Sequence, residues 1–173
     1  MSELKSSIEQ LPELLGEADW EPLRMPLLNT KKGKSFVDDD PAGNGIALCM
    51  FVRERDRRLF AKVWFGPEAT GPPGHAHGGS IAAVLDHTMG FGCWVAGYPV
   101  VAANISINFH ISVPLRTVCT VECWVDSVDG KKVVTRGRIV DTETPDTVYA
   151  TGDGLFIQQP MDRFKGFLNP PEL

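Results

Sequence analysis

The chain has 173 residues, 43% of them hydrophobic, which suffices for one domain with a sizeable core. Its formal net charge of -5 provides no overall basic field, so nucleic acid and an anionic membrane are disfavoured as main partners. No stretch reaches the ~18 uninterrupted apolar residues of a membrane span, and residues 1–30 lack the pattern of an export or organelle signal. These features predict a soluble cytoplasmic protein.

The N-terminal region, residues 1–44, is predicted to be an arm and a loop. Apolar residues recur at roughly helical spacing from Ser2 to Leu15, but Pro12 interrupts them, so we expect a short or broken peripheral helix. The stretch from Asn29 to Asp40 changes from lysines to aspartates and contains little that can pack, which indicates a surface segment.

Strand patterns begin at Gly45. Two β-prone runs flank a charged turn and predict a hairpin, and four more strand-like runs follow after Gly97. Asp129-Gly130 is a strong hairpin-turn signal between two of them. The predicted strands are Ile46–Val52, Leu59–Phe65, Val100–Val113, Leu115–Val128, Lys131–Asp141 and Val148–Gln158.

A helix is predicted between the second and third strands, from Gly79 to Ala96. Small and apolar residues occupy most of it, so a central, mostly enclosed position is expected. A glycine pair, Gly78-Gly79, precedes it, and Asp86 lies inside it among apolar neighbours, where a carboxylate is costly to bury without a purpose. The element order predicts an α+β fold in which a six-stranded antiparallel sheet wraps around one helix, with an N-terminal helical arm.

The four cysteines occupy apolar or alternating stretches and lack the C-x-x-C spacing of zinc and redox sites, so reduced, buried thiols are expected. They are Cys49, Cys93, Cys119 and Cys123. The histidines are scattered, and no His-x-x-x-His or His–carboxylate set is present. We therefore predict no metal site.

Several local motifs surround the predicted helix. They are Gly71-Pro72-Pro73-Gly74, His77-Gly78-Gly79, Asp86, the strand 103–109 and the closing run 149–156. Together with the order of the elements, they resemble the hotdog-fold acyl-CoA thioesterases, in particular the phenylacetate-type and "thioesterase superfamily member" branch. The resemblance covers residues 45–158, which are predicted to be the hotdog thioesterase domain, and leaves residues 159–173 as a C-terminal tail.

The resemblance implies roles for the residues at the helix entrance. Backbone N–H groups in a first helical turn have no intrahelical acceptor, and glycine allows close approach of a carbonyl. In the family the first glycine after the histidine polarises the thioester carbonyl, which assigns that role to Gly78 and a supporting one to Gly79. The acid, Asp86, would act as general base on water or attack the carbonyl directly. His77 is expected to hold the loop through its ring.

Helix geometry separates Gly79 from Asp86 by roughly 10 Å of rise, so one chain holds the donor and the acid far apart. The family solves this by pairing two protomers, each site taking its donor from one chain and its acid from the other. The resemblance thus implies a homodimer or a dimer of dimers, with an acyl-CoA as the small-molecule partner. No cofactor is expected, since coenzyme A enters as part of the substrate.

Other residues receive weaker assignments. Thr88 either orients the attacking water or bonds back along the helix. Family members often carry Ser or Thr on the following strand, but the matching position here is Ala102, which leaves Asn104, Thr88 or His87 to place the water. Lys131, Arg136 and Arg138 either bind the coenzyme A phosphates or form a solvated basic face.

Two alternatives stay open at this stage. A hotdog dehydratase or hydratase would use His77 as a catalytic histidine opposed by an acid on the helix. A non-catalytic acyl-CoA-binding module would retain the fold without the chemistry, which the departure at Ala102 favours.

Overall fold

The computed structural model describes residues 10–23, 35, 37 and 40–165. Within them lie seven strands, one long α-helix and two short 3-10 helices, at Pro67–Ala69 and Met161–Phe164. The longer elements are β1 (Trp20–Pro22), β2 (Ile46–Arg53), β3 (Arg58–Phe65), α1 (Gly78–Val95), β4 (Val100–Phe109), β5 (Val118–Asp129), β6 (Lys132–Asp141) and β7 (Val148–Gln158). The strands form one antiparallel sheet in the order β1-β2-β3-β5-β6-β7-β4.

The core lies between α1 and the inner face of the sheet. The buried face of α1 includes Val84, Leu85 and Met89, none of which has any exposed surface. Gly137 and Gly152 of the sheet let this face approach closely, because a Cβ at either position would meet Met89 atoms at 3.1 and 3.2 Å. The helix thereby packs against one face of the sheet, and the predicted α+β hotdog fold is confirmed.

The sheet has seven strands in the described residues, where six were predicted. The additional strand, β1, pairs with β2 at the edge of the sheet. Its Trp20 ring stacks on Phe60 with 4.3 Å between centroids, and this contact with a distant residue holds the segment against the sheet. Pro22 is tolerated in β1 because an edge strand has one side without ladder hydrogen bonds.

The predicted N-terminal helix falls partly outside the described residues. Residues 10–17, which the structure describes, contain no helix, because Pro12 removes a backbone donor and Gly16 adds backbone freedom. This segment lies on the sheet instead, and a Cβ at Gly16 would sit 2.7 Å from the Phe51 ring. The predicted surface segment at residues 29–40 lies mostly outside the described residues.

All four cysteines are free thiols, and three of them are buried as expected. Cys49 is the exception and is exposed. It alternates along β2 with the buried Leu48, so its side chain points away from the core.

The two edges of the sheet are different. At one edge, β1 pairs along part of β2. At the other edge, β4 bonds to β7 on one side, and no described strand covers its other side. Most of β4 is exposed, including Phe109 at 56%. Within the described residues, no helix is long and apolar enough to cross a membrane.

Candidate active site

The N-terminus of α1 is capped by the His77 side chain. His77 has extended backbone angles (φ -68°, ψ 138°), and its Nδ1 accepts a hydrogen bond of 2.8 Å from the Gly79 N–H. An imidazole nitrogen accepts only when it is unprotonated, so the neutral ring carries its proton on Nε2. A Cβ at position 79 would lie 2.9 Å from this Nδ1, and only glycine leaves the ring its place.

The cap distinguishes the two glycines. The Gly79 N–H is occupied by the imidazole, and the N–H groups of Ser80 and Ile81 both donate to the His77 carbonyl oxygen. Among the described residues, the Gly78 N–H has no acceptor. It therefore stands free at the positive end of the helix dipole, where a developing oxyanion is stabilised.

Gly78 lies beside the exposed β4 edge. A Cβ built at Gly78 would be 3.4 Å from Cζ of Phe109, the last residue of β4. The free N–H thus lies in a region that borders both the helix entrance and the uncovered strand.

Asp86 lies eight residues further along α1, about 12 Å of rise from Gly78. Its apolar neighbours Val84, Leu85 and Met89 turn toward the sheet, whereas Asp86 is exposed in the single chain. Consequently α1 is enclosed on one face only, and the other face carries the acid. Partial desolvation raises the pKa of the Asp86 carboxyl, and the charge of neighbouring His87 opposes this shift.

A groove of about 520 Å³ runs from Asp86 along the half-buried side of α1. Its lining is mainly apolar and includes Phe91, Trp94, Val100 and Phe156. Ligand-binding clefts of this size and composition are common in proteins. The arrangement combines one carboxylate with an apolar channel.

The predicted site residues on β4 and at position 87 lie at different distances from this groove. Ala102 and His87 both line it together with Asp86. The His87 ring also contacts the Phe91 ring, with 4.6 Å between centroids. The register of β4 against β7 shifts between Ala102 and Asn104, and Asn104 itself is exposed and is not part of the groove lining.

Thr88 faces the core. It has no exposed surface, and its Oγ1 donates 2.7 Å to the Val84 carbonyl and accepts from the Cys123 thiol at 3.3 Å. Of the two roles that the sequence left open, the structure assigns Thr88 the hydrogen bond back along the helix. The buried Thr88 hydroxyl therefore does not line the groove beside Asp86.

The predicted phosphate-binding residues lie away from Asp86 in the single chain. Arg138 donates 2.9 Å from Nε to Glu122, and the Arg136 guanidinium lies 3.4 Å from the Asp126 carboxylate. Both alternate with Gly137, which faces α1, so the arginines extend from the outer face of the sheet. Lys131 is exposed in the β5–β6 turn.

Sequence reasoning missed the contribution of the C-terminal segment. Arg163 and Phe164 line the groove, although residues 159–173 carry none of the family resemblance. The Phe164 ring contacts the Trp94 ring edge to face, with 4.7 Å between centroids and 75° between planes. The apolar residues of the C-terminal tail, Phe164 among them, were the available signal, but the contact with Trp94 seventy residues upstream is set by the folded arrangement. Among the described residues, no cluster of three or more His, Cys, Asp or Glu is arranged to hold a metal ion.

Comparison with known proteins identifies relatives of this chain. Residues 73–148 match the model of the thioesterase superfamily. The chain is 33% identical to the acyl-coenzyme A thioesterase THEM4 of Xenopus laevis over 114 residues, which are 66% of this chain and 51% of the relative. A mouse acyl-coenzyme A thioesterase, THEM5, is 28% identical over 67% of this chain and 46% of its own length. The chain thus spans about half the length of the curated relatives it matches.

Two of the solved structures to which the chain is similar are also thioesterase proteins. The crystal structure of a thioesterase superfamily protein aligns with a TM-score of 0.62 and 27% identity, over 79% of this chain and 68% of the other. A hypothetical thioesterase of Streptococcus pneumoniae, crystallised with coenzyme A, aligns with a TM-score of 0.56 and 18% identity over 59% of this chain and 81% of its own. At that identity the second likeness shows the fold alone.

Proposed function

Because residues 73–148 match the thioesterase superfamily model and the chain is similar to acyl-coenzyme A thioesterases, we propose that it hydrolyses an acyl-CoA thioester to the free acid and coenzyme A. One observation carries this proposal: the His77 cap occupies the Gly79 N–H and leaves the Gly78 N–H free, while the same helix exposes a carboxylate beside an apolar groove. The acyl-coenzyme A thioesterase names of the matched relatives support the same substrate class.

In the proposed reaction, the Gly78 N–H donates to the carbonyl oxygen of the thioester and stabilises the oxyanion of the tetrahedral intermediate. The Asp86 carboxylate takes a proton from water, whose oxygen attacks the carbonyl carbon. The carbon–sulfur bond then breaks, and the thiolate of coenzyme A receives the proton from Asp86. In the alternative route, Asp86 attacks the carbon itself and forms a mixed anhydride that water hydrolyses.

We further propose that a second copy of the chain completes each site. The separation of about 12 Å between Gly78 and Asp86 along α1 exceeds the reach of one carbonyl group. The uncovered edge of β4 supports pairing, since an exposed strand of ten residues offers backbone groups to another chain. The partner would then be an identical subunit, and the assembly a dimer or a dimer of dimers.

In this proposal, residues 45–158 form the catalytic hotdog unit, and the segments before and after it modify its surface. Coenzyme A enters as part of the substrate, without a further cofactor. Lys131, Arg136 and Arg138 would bind its phosphates only if assembly brings the outer face of the sheet to a site.

The test is a thiol-release assay across short, medium, long and aromatic acyl-CoA substrates, with Asp86→Asn beside the wild type. Removing the base is expected to lower kcat by about 10²- to 10⁴-fold. The variant should keep its thermal stability, since the carboxyl is exposed and its pKa is raised by desolvation.

Full activity of Asp86→Asn would contradict the assignment of Asp86 as the general base or nucleophile. Hydration of an enoyl thioester without thiol release would instead identify the protein as a hotdog hydratase. Tight acyl-CoA binding without turnover by the wild type would replace the proposal by a binding module.

A further inference from the structure

We propose that Phe164 and Gly90 set the length of the acyl chain that this protein accepts, Phe164 as the end wall of the groove and Gly90 as its open floor. The inference rests on the proposed function, since it takes the groove beside Asp86 as the acyl channel. The C-terminal 3-10 helix, Met161–Phe164, would then determine specificity although it lies outside the segment of family resemblance.

The groove follows one face of α1. Asp86, Gly90 and Trp94 are spaced i, i+4 and i+8, so they lie on one stripe, and all three line the cavity. The stripe spans about 12 Å from the acid to the tryptophan by helical rise. Val100 and Phe156, which are 5% and 2% exposed, line the same cavity and keep it apolar.

Gly90 keeps the middle of this channel open. A glycine inside a helix lowers its stability relative to alanine. Packing within the chain does not require it, because a Cβ at position 90 would meet only the Phe156 Cε1, at an ordinary contact distance of 3.5 Å. A side chain at position 90 would project into the groove. We therefore attribute the glycine to the need for an open groove and not to packing within the chain.

Phe164 lies at the Trp94 end of the groove. Its ring packs edge to face on Trp94, at the C-terminal end of α1, with 4.7 Å between centroids. Both rings line the groove. An acyl chain that starts with its carbonyl near Asp86 therefore extends along the helix until it meets this aromatic pair.

The distance indicates a medium-length chain. An extended alkyl chain advances by somewhat less than one carbon–carbon bond of about 1.5 Å per carbon, so about 12 Å accommodates roughly eight to ten carbons. Each methylene buried within that length is expected to raise affinity about fourfold. Beyond it, the gain should stop.

The experiment measures binding and turnover separately. Binding uses S-alkyl-CoA thioethers of increasing chain length, which lack the carbonyl and cannot be hydrolysed, and is followed by titration calorimetry. Turnover uses the matching acyl-CoA thioesters in the thiol-release assay. The two readouts distinguish failure of the inference from failure of the proposed function.

Two variants should move the length limit in opposite directions. Phe164→Ala removes the end wall, and burying two more methylenes would raise the affinity for chains beyond the wild-type limit about 15-fold. Gly90→Leu fills the channel midway and should weaken medium and long chains more than tenfold while sparing acetyl- and propionyl-CoA. Met161→Ala is the matched control, since Met161 belongs to the same 3-10 helix but is 50% exposed and does not line the groove.

Shifts of the thioether profile in both directions, with Met161→Ala unchanged, support the inference even if no thioester is hydrolysed. Profiles that neither variant moves overturn it, and hydrolysis by the same proteins would then leave the proposed function intact. A change of oligomeric state in Phe164→Ala with an unchanged length profile also overturns it, because the groove would then be occupied by a second copy of the chain.

Discussion

The two edges of the sheet differ both in what covers them and in the residues that surround them. At the β2 edge, the chain covers itself: β1 pairs with β2, Trp20 stacks on Phe60, and the Arg53 guanidinium lies 4.6 Å from the Phe60 ring centroid. At the β4 edge, a strand of ten residues remains open, and Phe109 is 56% exposed.

The site residues follow this division. Gly78 lies against Phe109 at one end of β4, and the groove beside Asp86 is lined by Val100, Val101 and Ala102 at the other. The outer face of the central strands carries ion pairs instead, such as Glu122 with Arg58 and Arg138, both at 2.7 Å. Self-coverage thus stabilises one side of the fold, and the incomplete side is the one with groups suited to chemistry.

The sharpest test on the open side removes the Gly78 N–H as a hydrogen-bond donor. Gly78→Pro deletes the free N–H at the first helical position, where proline is well tolerated, and His77 already has the extended backbone that precedes proline. We expect kcat to fall about 10²- to 10³-fold, as for loss of one oxyanion donor, with little change in melting temperature. Gly78→Ala is the control, since it keeps the N–H and places a Cβ at 3.4 Å from Phe109.

Mixing tests whether the two half-sites come from different chains. Coexpressed Gly78→Pro and Asp86→Asn chains would form mixed dimers in which one site retains both groups, so random pairing restores about a quarter of wild-type activity. Thiol release by the mixture is the measurement. Activity no greater than that of the separate variants would place donor and acid in the same chain.

Trp20→Ala breaks the covered side. Trp20 is 8% exposed and stacks on Phe60, so its truncation should cost about 3 kcal/mol of unfolding free energy. Activity per folded molecule should remain, because Trp20 packs with Phe51 and Phe60 in a cluster separate from the core cluster that contains α1. Urea denaturation combined with thiol release at low temperature measures both quantities. Loss of activity without loss of stability would contradict the division between the two sides.

Like charges test the open edge for pairing. Ser106 and Asn108 are exposed on β4, and arginine at both positions would oppose like charges across a paired edge, which weakens association by about tenfold. The sedimentation coefficient and the rate of thiol release should decrease together, and both should recover partly at high salt. Glu21→Arg on β1 is the matched control and should change neither measurement, since β1 is an edge strand of only three residues at the opposite end of the sheet.

Much of this comparison was predictable from local pattern. Runs of β-prone residues predicted the six longer strands, and the glycine pair before a run of helix formers predicted α1 within one residue at each end. The same pattern could not show that Asp86 faces outward, because its neighbours are apolar and only the packed sheet decides which face they cover. Nor could it find β1 or Phe164, which depend on contacts with Phe60 and Trp94 far away in the sequence.

The last and smallest expected effect is the pH dependence of one carboxyl on each side. Desolvation raises the pKa of Asp86, so its protonated form favours folding, and that contribution, present below the ordinary aspartate pKa near 4, is lost as pH rises through the raised value. On the covered side, the hydrogen bond from Arg53 lowers the pKa of Asp56, whose contribution is present above the ordinary value and is lost as pH falls through the lowered one.

The pKa shifts of Asp86 and Asp56 have opposite signs, so the pH dependence of activity can be distinguished from that of stability. If Asp86 is the base, the acid limb of kcat/KM should lie above pH 4 and should be absent from the residual activity of Asp86→Asn. Asp56→Asn should leave that limb in place and lower the melting temperature slightly at neutral pH, because the exposed ion pair is weak. Rate profiles and melting curves from pH 3 to 8 measure both. An acid limb that Asp56→Asn removes and Asp86→Asn leaves in place would contradict the assignment of Asp86 as the base.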